Sequence, residues 1–166
     1  MGTIPVRCRN GGETMQSGIA QQRFGQLWPT HLVGLIGFLA QLREAFEGDL
    51  DSALIMAIIG SALLPRSRVP ESLSFAEFRA LKKRDTFGMP LNALSITQSS
   101  GIPRETVRRK LAAMERRGWL SRNAQGRWTV TPAGAQALEP MTEYSLEYLN
   151  RLSAVILAGC AETAKA

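Results

Sequence analysis

Apolar residues in this chain recur at helical spacing over most of its length, and the exceptions mark its boundaries. Met1 to Gln26 is polar and rich in glycine and glutamine, which predicts a flexible arm over residues 1–26. Pro29 and Thr30 are good helix-start residues, and Leu32, Leu35, Ile36, Leu39, Leu42 and Phe46 follow at a period of 3.6. Val33 and Phe38 widen that stripe to more than half the circumference, and Gly48 ends the helix. Gly34 and Gly37 would weaken an isolated helix, so close approach of a neighbouring backbone is the expected compensation. Asp49 or Asp51 then caps a second helix to about Leu64, apolar nearly all round. Helices this apolar must be covered, by the rest of the chain or by a second copy of it.

Beyond them, Pro65 to Pro70 reads as a linker, and Ser74-Phe75-Ala76-Glu77 has capping-box spacing for a third helix to about Lys83. Its inner face would be Phe75, Phe78 and Leu81, and Asp85 to Pro90 forms the next turn. Asn92 caps a short helix through Ser99, Gly101 ends it, and Ile102-Pro103 leads into a helix to about Arg117, stopped by Gly118. Trp119 to Arg122 and Arg127 to Thr131 alternate as two strands, with Asn123-Ala124-Gln125-Gly126 as the hairpin turn. Thr131-Pro132 restarts a helix, Pro140 breaks or kinks it, and a last helix runs from about Met141 to Ala158. The expected fold is mainly α with a small β-hairpin. Its parts are the arm, apolar helices over 27–66, a central domain over 71–138, a C-terminal helix over 139–160 and a tail over 161–166.

Composition narrows the chemistry. The 166 residues suit one domain with appended helices. Cys8 and Cys160, near opposite ends, make no disulfide framework and fit a reducing compartment, and His31 is the lone histidine. Neither a zinc domain nor a triad hydrolase can be built from that set, and no phosphate-binding glycine loop or paired-carboxylate site stands out. Glu44, Glu47, Asp49 and Asp51 gather at a helix junction, where acids serve as caps rather than metal ligands. His31 beside Trp28 is read as structural or exposed rather than ligand-lining. The expectation is a non-enzyme without metal or cofactor. Neither apolar stretch reaches the roughly 18–20 residues that cross a bilayer, and the N-terminus has no signal-peptide run, so a cytoplasmic protein without a membrane partner is expected.

Charge adds the decisive pattern. Arg104, Arg108, Arg109, Lys110, Arg116, Arg117, Arg122 and Arg127 all lie between Gly101 and Pro132, opposed only by Glu105 and Glu115. That window accounts for the whole net charge of +6. So local an excess is a footprint for a polyanion.

The run Ser95-Ile96-Thr97-Gln98-Ser99-Ser100-Gly101-Ile102-Pro103-Arg104-Glu105-Thr106-Val107-Arg108-Arg109-Lys110-Leu111, followed by Met114-Glu115-Arg116-Arg117-Gly118-Trp119-Leu120, resembles the winged helix-turn-helix of bacterial transcription regulators. The layout is most similar to the multiple-antibiotic-resistance regulator (MarR) type, with dimerisation helices flanking the DNA-binding core. The motif spans about Leu91 to Leu138. Two positions depart from the family pattern: the hairpin lacks its Asp-x-Arg, and Ser100 stands where an apolar residue is common. The resemblance implies a homodimer that binds double-stranded DNA at an inverted repeat, and a small-molecule effector between the dimer helices and the core.

At 100° per residue, Val107, Leu111 and Met114 form the inner face of the basic helix. Glu105, Arg109, Ala112 and Arg116 lie opposite, with Arg108 on one flank and Arg104 and Thr106 at the amino end. Arginine can grip guanine with two hydrogen bonds, and the alanines let a helix sink into the major groove. Arg122, Asn123, Gln125 and Arg127 at the hairpin tip would follow the minor groove or backbone. Ser95, Thr97 and Lys110 are candidate phosphate contacts, with capping or back-bonding the alternative for Ser95 and Thr97. Trp119 and Trp128 are read as hairpin core. The bland alternative for the basic face is solvation, with Glu105–Arg109 an ordinary i,i+4 pair. A different class also remains: a winged helix that serves as a protein-interaction module, or one that binds RNA.

Overall fold

The computed structural model describes residues 18–64, 68–80 and 88–163. In chain order the elements are α1 (Ile19–Gln22), α2 (Phe24–Ala45), α3 (Leu50–Leu63), α4 (Phe75–Ala80), α5 (Ala93–Ser100), α6 (Arg104–Arg116), β1 (Leu120–Arg122), β2 (Trp128–Val130), α7 (Pro132–Ala137) and α8 (Glu139–Thr163). The chain is mainly α with one two-stranded antiparallel hairpin. No described helix is long and apolar enough to cross a membrane. The first 17 residues of the expected arm, linker residues 65–67, the stretch 81–87 and residues 164–166 lie outside the described residues, as does Cys8.

Two expected boundaries move. Residues 19–22 are helical and α2 starts at Phe24, five residues before the predicted Pro29 start. The helix reaches back across Pro29 because Phe24 stacks on Trp28 at 5.5 Å between ring centroids and Leu27 is buried. At the other end α8 runs to Thr163, through the start of the expected tail, since nothing after Ala158 except Gly159 disfavours a helix.

The described residues divide into two compact units. One comprises residues up to Gly34 together with those from Tyr148 onward, and the other is Leu35–Glu147. In the first, Trp28 lies 5.4 Å from His31 and His31 lies 6.0 Å from Tyr148, ring to ring. The Tyr148 hydroxyl and His31 Nδ1 share a hydrogen bond. A Cβ at Gly34 would overlap the Tyr148 ring. In the second unit a Cβ at Gly37 would meet the Tyr144 hydroxyl. The two glycines therefore make room for tyrosine rings, not for the neighbouring backbone the sequence suggested.

The larger unit is built round α3. Ile55, Met56 and Ile59 of α3 are almost fully buried, among Ile96 of α5, Val107 and Leu111 of α6 and Trp128 of β2. Asp49 caps α3, accepting from the Ser52 N–H at 3.1 Å. Asn92 caps α5, accepting from the Ser95 N–H at 2.8 Å, and Gly101 closes it at φ +70°. The predicted capping box opens α4: Ser74 N–H donates to Glu77, and Glu77 N–H donates to Ser74 Oγ. Gly118 ends α6 at φ +76°, with its N–H on the Glu115 carbonyl and that of Trp119 on Met114. That pair of bonds is a Schellman motif, and the left-handed residue it needs is one that glycine adopts freely.

The hairpin pairs Leu120 with Val130, Ser121 with Thr129 and Arg122 with Trp128. Leu91 bridges to Trp128 on the other edge of β2, and both tryptophans are buried. Thr131 caps α7, and the α7 backbone at Gly134 packs so closely on the Trp119 carbonyl that no Cβ would fit. Leu138 separates α7 from α8, and Pro140, expected to break or kink the helix, instead lies in the first turn of α8, where a proline is tolerated.

Gly34→Ala should lower stability by about 1–3 kcal/mol, the usual cost of overpacking. Thermal unfolding of the single variant and of Gly34→Ala with Tyr148→Leu checks this, since the smaller partner should recover most of the loss. Equal unfolding of wild type and Gly34→Ala would mean that the ring does not fill that space.

Candidate nucleic-acid interface

Helix α6 turns its apolar residues inward and its arginines outward. Val107, Leu111 and Met114 are 0%, 1% and 4% exposed. Arg104, Glu105, Arg108, Arg109 and Arg116 are exposed, while Thr106 and Ala112 are half-buried. The predicted division of faces therefore holds residue by residue, with Ala112 nearer the rim than the centre of the outer face.

The exposed charges are not equivalent. Arg108 grips Glu105 with two hydrogen bonds, Nε to Oε2 at 3.0 Å and Nη2 to Oε1 at 2.7 Å. The partner of Glu105 is thus the i+3 arginine, not the i+4 Arg109 the sequence suggested. Hydrogen bonding to Arg108 holds the Glu105 carboxyl below its usual range and raises the Arg108 guanidinium above its own. Arg116 Nε reaches the Ala112 carbonyl at 3.4 Å. Arg104 and Arg109 form no ion pair with any described residue.

The amino end of α6 adds backbone donors. Its N-cap is Pro103, which supplies no side-chain cap, so the first N–H groups of the helix find no capping oxygen. Those donors and the positive end of the helix dipole face the same solvent as Arg104.

Lys110 is placed otherwise than expected. Its ammonium bonds Asp49 Oδ1 and lies 3.8 Å from Asp51 Oδ2, with its side chain only 13% exposed. Lys110 is thus engaged within the fold rather than presented to a phosphate. Thr97 is also engaged, its Oγ1 donating to the Ala93 carbonyl at 2.9 Å, which is back-bonding. Ser95 is half-buried on α5.

At the hairpin tip, Asn123 is structural. Its Oδ1 accepts from the N–H groups of Gln125 at 3.0 Å and Arg127 at 2.9 Å, which fixes the turn. Gln125 is exposed. Arg122 lies over the Trp128 ring at 5.7 Å. Arg127 is half-buried, with Nη1 at 3.4 Å from the Pro90 carbonyl.

The sequence reading missed the role of Arg117. Its guanidinium stacks 4.0 Å from the centre of Trp119 and sits 3.2 Å from Glu47 Oε1. Spacing alone shows that Lys110 and Arg117, seven residues apart, share one face of the helix, but nothing local names their acidic partners at 47 and 49. Glu47 and Asp49 serve these pairs and a helix cap. Among the described residues no group of His, Cys, Asp and Glu is arranged to hold a metal ion.

Burial works to raise the Asp49 carboxyl, but hydrogen bonds from Lys110 and Ser52 and the Lys110 charge outweigh it and leave it below its ordinary value of 3.8. A carboxyl depressed in the folded state contributes stability that is complete above its unfolded value and lost as pH falls through the folded one. Asp49→Asn keeps the cap and removes the charge. The variant should lose less stability than wild type between about pH 4 and pH 2, read by urea unfolding across that range; parallel acid limbs would mean Asp49 carries no such linkage.

The chain matches no protein-family model, no curated protein and no solved structure.

Proposed function

We propose that the chain is a winged helix-turn-helix DNA-binding transcription regulator, acting as a homodimer on an inverted-repeat site. In this reading α5 and α6 are the helix-turn-helix, α6 is the recognition helix and the β1–β2 hairpin is the wing. The observation that carries it is the amino end and outer face of α6. There, Arg104 stands exposed beside the uncapped backbone donors of the amino end and Arg109 exposed further along the outer face, neither in an ion pair with a described residue, on a helix whose inner face is buried. A face used only for solvation gains nothing from leaving those donors uncapped. A DNA backbone supplies the acceptors, and the major groove admits a helix of this width.

Within this reading the eight cations of the basic window divide by what already holds them. Arg104 and Arg109 carry the base and phosphate contacts. Arg108 and Glu105 act as a pair, which opens only where a cytosine amino group or a phosphate replaces the internal bond. Arg116 and the hairpin residues Arg122, Gln125 and Arg127 contribute to the backbone, whereas Asn123 shapes the turn. The mechanism is binding: occupation of the site excludes or recruits polymerase, and no covalent chemistry takes place.

The homodimer rests on α2 and α8. Leu32, Ile36 and Leu39 follow one stripe of α2 and are 38%, 64% and 45% exposed, beside Val33 at 66%. On α8, Leu149 and Leu157 are 53% and 67% exposed. Rows of large apolar side chains on long helices are what a second copy would cover. A symmetric pair would set two α6 helices about 34–36 Å apart, one turn of DNA.

Fluorescence anisotropy on a mixed-sequence duplex tests the charge component. Affinity should fall at least about tenfold between 50 and 200 mM salt, and Arg104→Ala and Arg109→Ala should each flatten the salt slope by about 0.9 if they meet phosphate. A chain that fails to bind, or binds independently of salt, would move an acidic protein partner to the front. Analytical ultracentrifugation tests the dimer: wild type should sediment as two copies, and Ile36→Asp with Leu39→Asp as one folded copy. A wild-type monomer at tens of micromolar would overturn this assembly.

A further inference from the structure

The corner between α2 and α3 is made by Glu47 and Gly48, both in the left-handed conformation, at φ +54° and +86°, followed by the cap Asp49. Glycine takes that conformation without cost, but Glu47 does not. A glutamate held there is over-determined by its surroundings, and the Gly48 N–H on the Arg43 carbonyl at 2.7 Å is one of the bonds that fix the turn. The corner presents two carboxylates to α6. Asp49 takes Lys110, and Glu47 takes Arg117, whose guanidinium is also stacked on Trp119. Lys110 and Arg117 lie on one stripe of α6, two turns apart, so the pairs grip the helix near its middle and at its carboxyl end.

Apolar packing fixes which side of a helix faces the core, yet leaves small rotations about the axis cheap. Two ion pairs at one edge of the helix oppose such rotation. The same two pairs withdraw two cations from the basic window and leave the contacts to the rest of the outer face and the amino end.

We propose that the Glu47–Asp49 corner is a two-pronged clamp that sets the roll of α6 and thereby which base edges its exposed arginines reach. The inference rests on the DNA-binding reading above and adds positioning residues to it. Neither acid touches DNA. Both act through Lys110 and Arg117, and α2 leads directly into the corner, so a shift of that helix has a direct route to α6.

The test uses the full-length chain with Glu47→Gln and Asp49→Asn together. These changes keep every arginine and lysine and preserve a capping side chain at position 49. The first readout is the distance distribution between nitroxide labels placed on Ala113 of α6 and Leu54 of α3, in a background of Cys8→Ser and Cys160→Ser. Wild type should give one narrow distribution, and the double variant a broadened or displaced one. The second readout is the affinity ratio between a duplex selected by wild type and a scrambled duplex. That ratio should fall about tenfold or more, with affinity for the scrambled duplex unchanged or higher. An equal gain on both duplexes would reduce the acids to general repulsion of phosphate and overturn the positioning role. An unaltered distance distribution would overturn the clamp itself. If wild type discriminates no sequence, the DNA-reading proposal falls, and the label distances alone decide whether the corner holds α6.

Discussion

The burial of α3 is the constraint on which the larger unit depends. Ile55, Met56 and Ile59 are at most 1% exposed, and α5, α6 and β2 all pack around that helix. Removing apolar surface of this size from water is worth about 1.5–3 kcal/mol per side chain, so no charged contact in the unit competes with it. A helix that must be hidden nearly all round needs covering from several directions, and here one short helix, one basic helix and a hairpin supply the cover. The inner face of α6 is thereby committed, and its outer face is free to differ in chemistry.

Charge then sorts the basic residues into two groups. Lys110 and Arg117 face carboxylates at the α2–α3 corner, and Arg117 gains a tryptophan face besides. Arg104 and Arg109 are exposed and form no ion pair with any described residue, and Arg104 stands at a helix end that no side chain caps. Eight cations in the sequence window are therefore not eight equivalent contacts. Some fix the helix, and the others are what it offers.

Much of this order was legible in the sequence because the signals were local. Ser74, Asn92 and Thr131 each cap the helix expected of them, Asp49 is the one of two candidate acids that caps α3, and Gly101 and Gly118 each stop a helix. The inner stripe Val107, Leu111 and Met114 followed from the 3.6-residue period alone. The partners of the charges were not legible. Lys110 finds Asp49 across 61 positions, and no spacing rule reaches that far. Glu105 chose between Arg108 and Arg109 by side-chain geometry, since both spacings bring two residues together on a helix. Gly34 and Gly37 announced a close approach, but tyrosine rings rather than backbone fill the space. The start of α2 lies before Pro29 because an aromatic pair, Phe24 and Trp28, stacks along the turn that precedes the proline.

Central to this account is a chain that reads DNA sequence as a symmetric pair of α6 helices. Selection from a random-sequence duplex pool, at two salt concentrations and with sequencing of the retained strands, addresses that most directly. The account predicts an enriched inverted repeat whose half-sites lie about 10 base pairs apart, retained more weakly at the higher salt. Retention with no enriched sequence, or no retention at either salt, would contradict it.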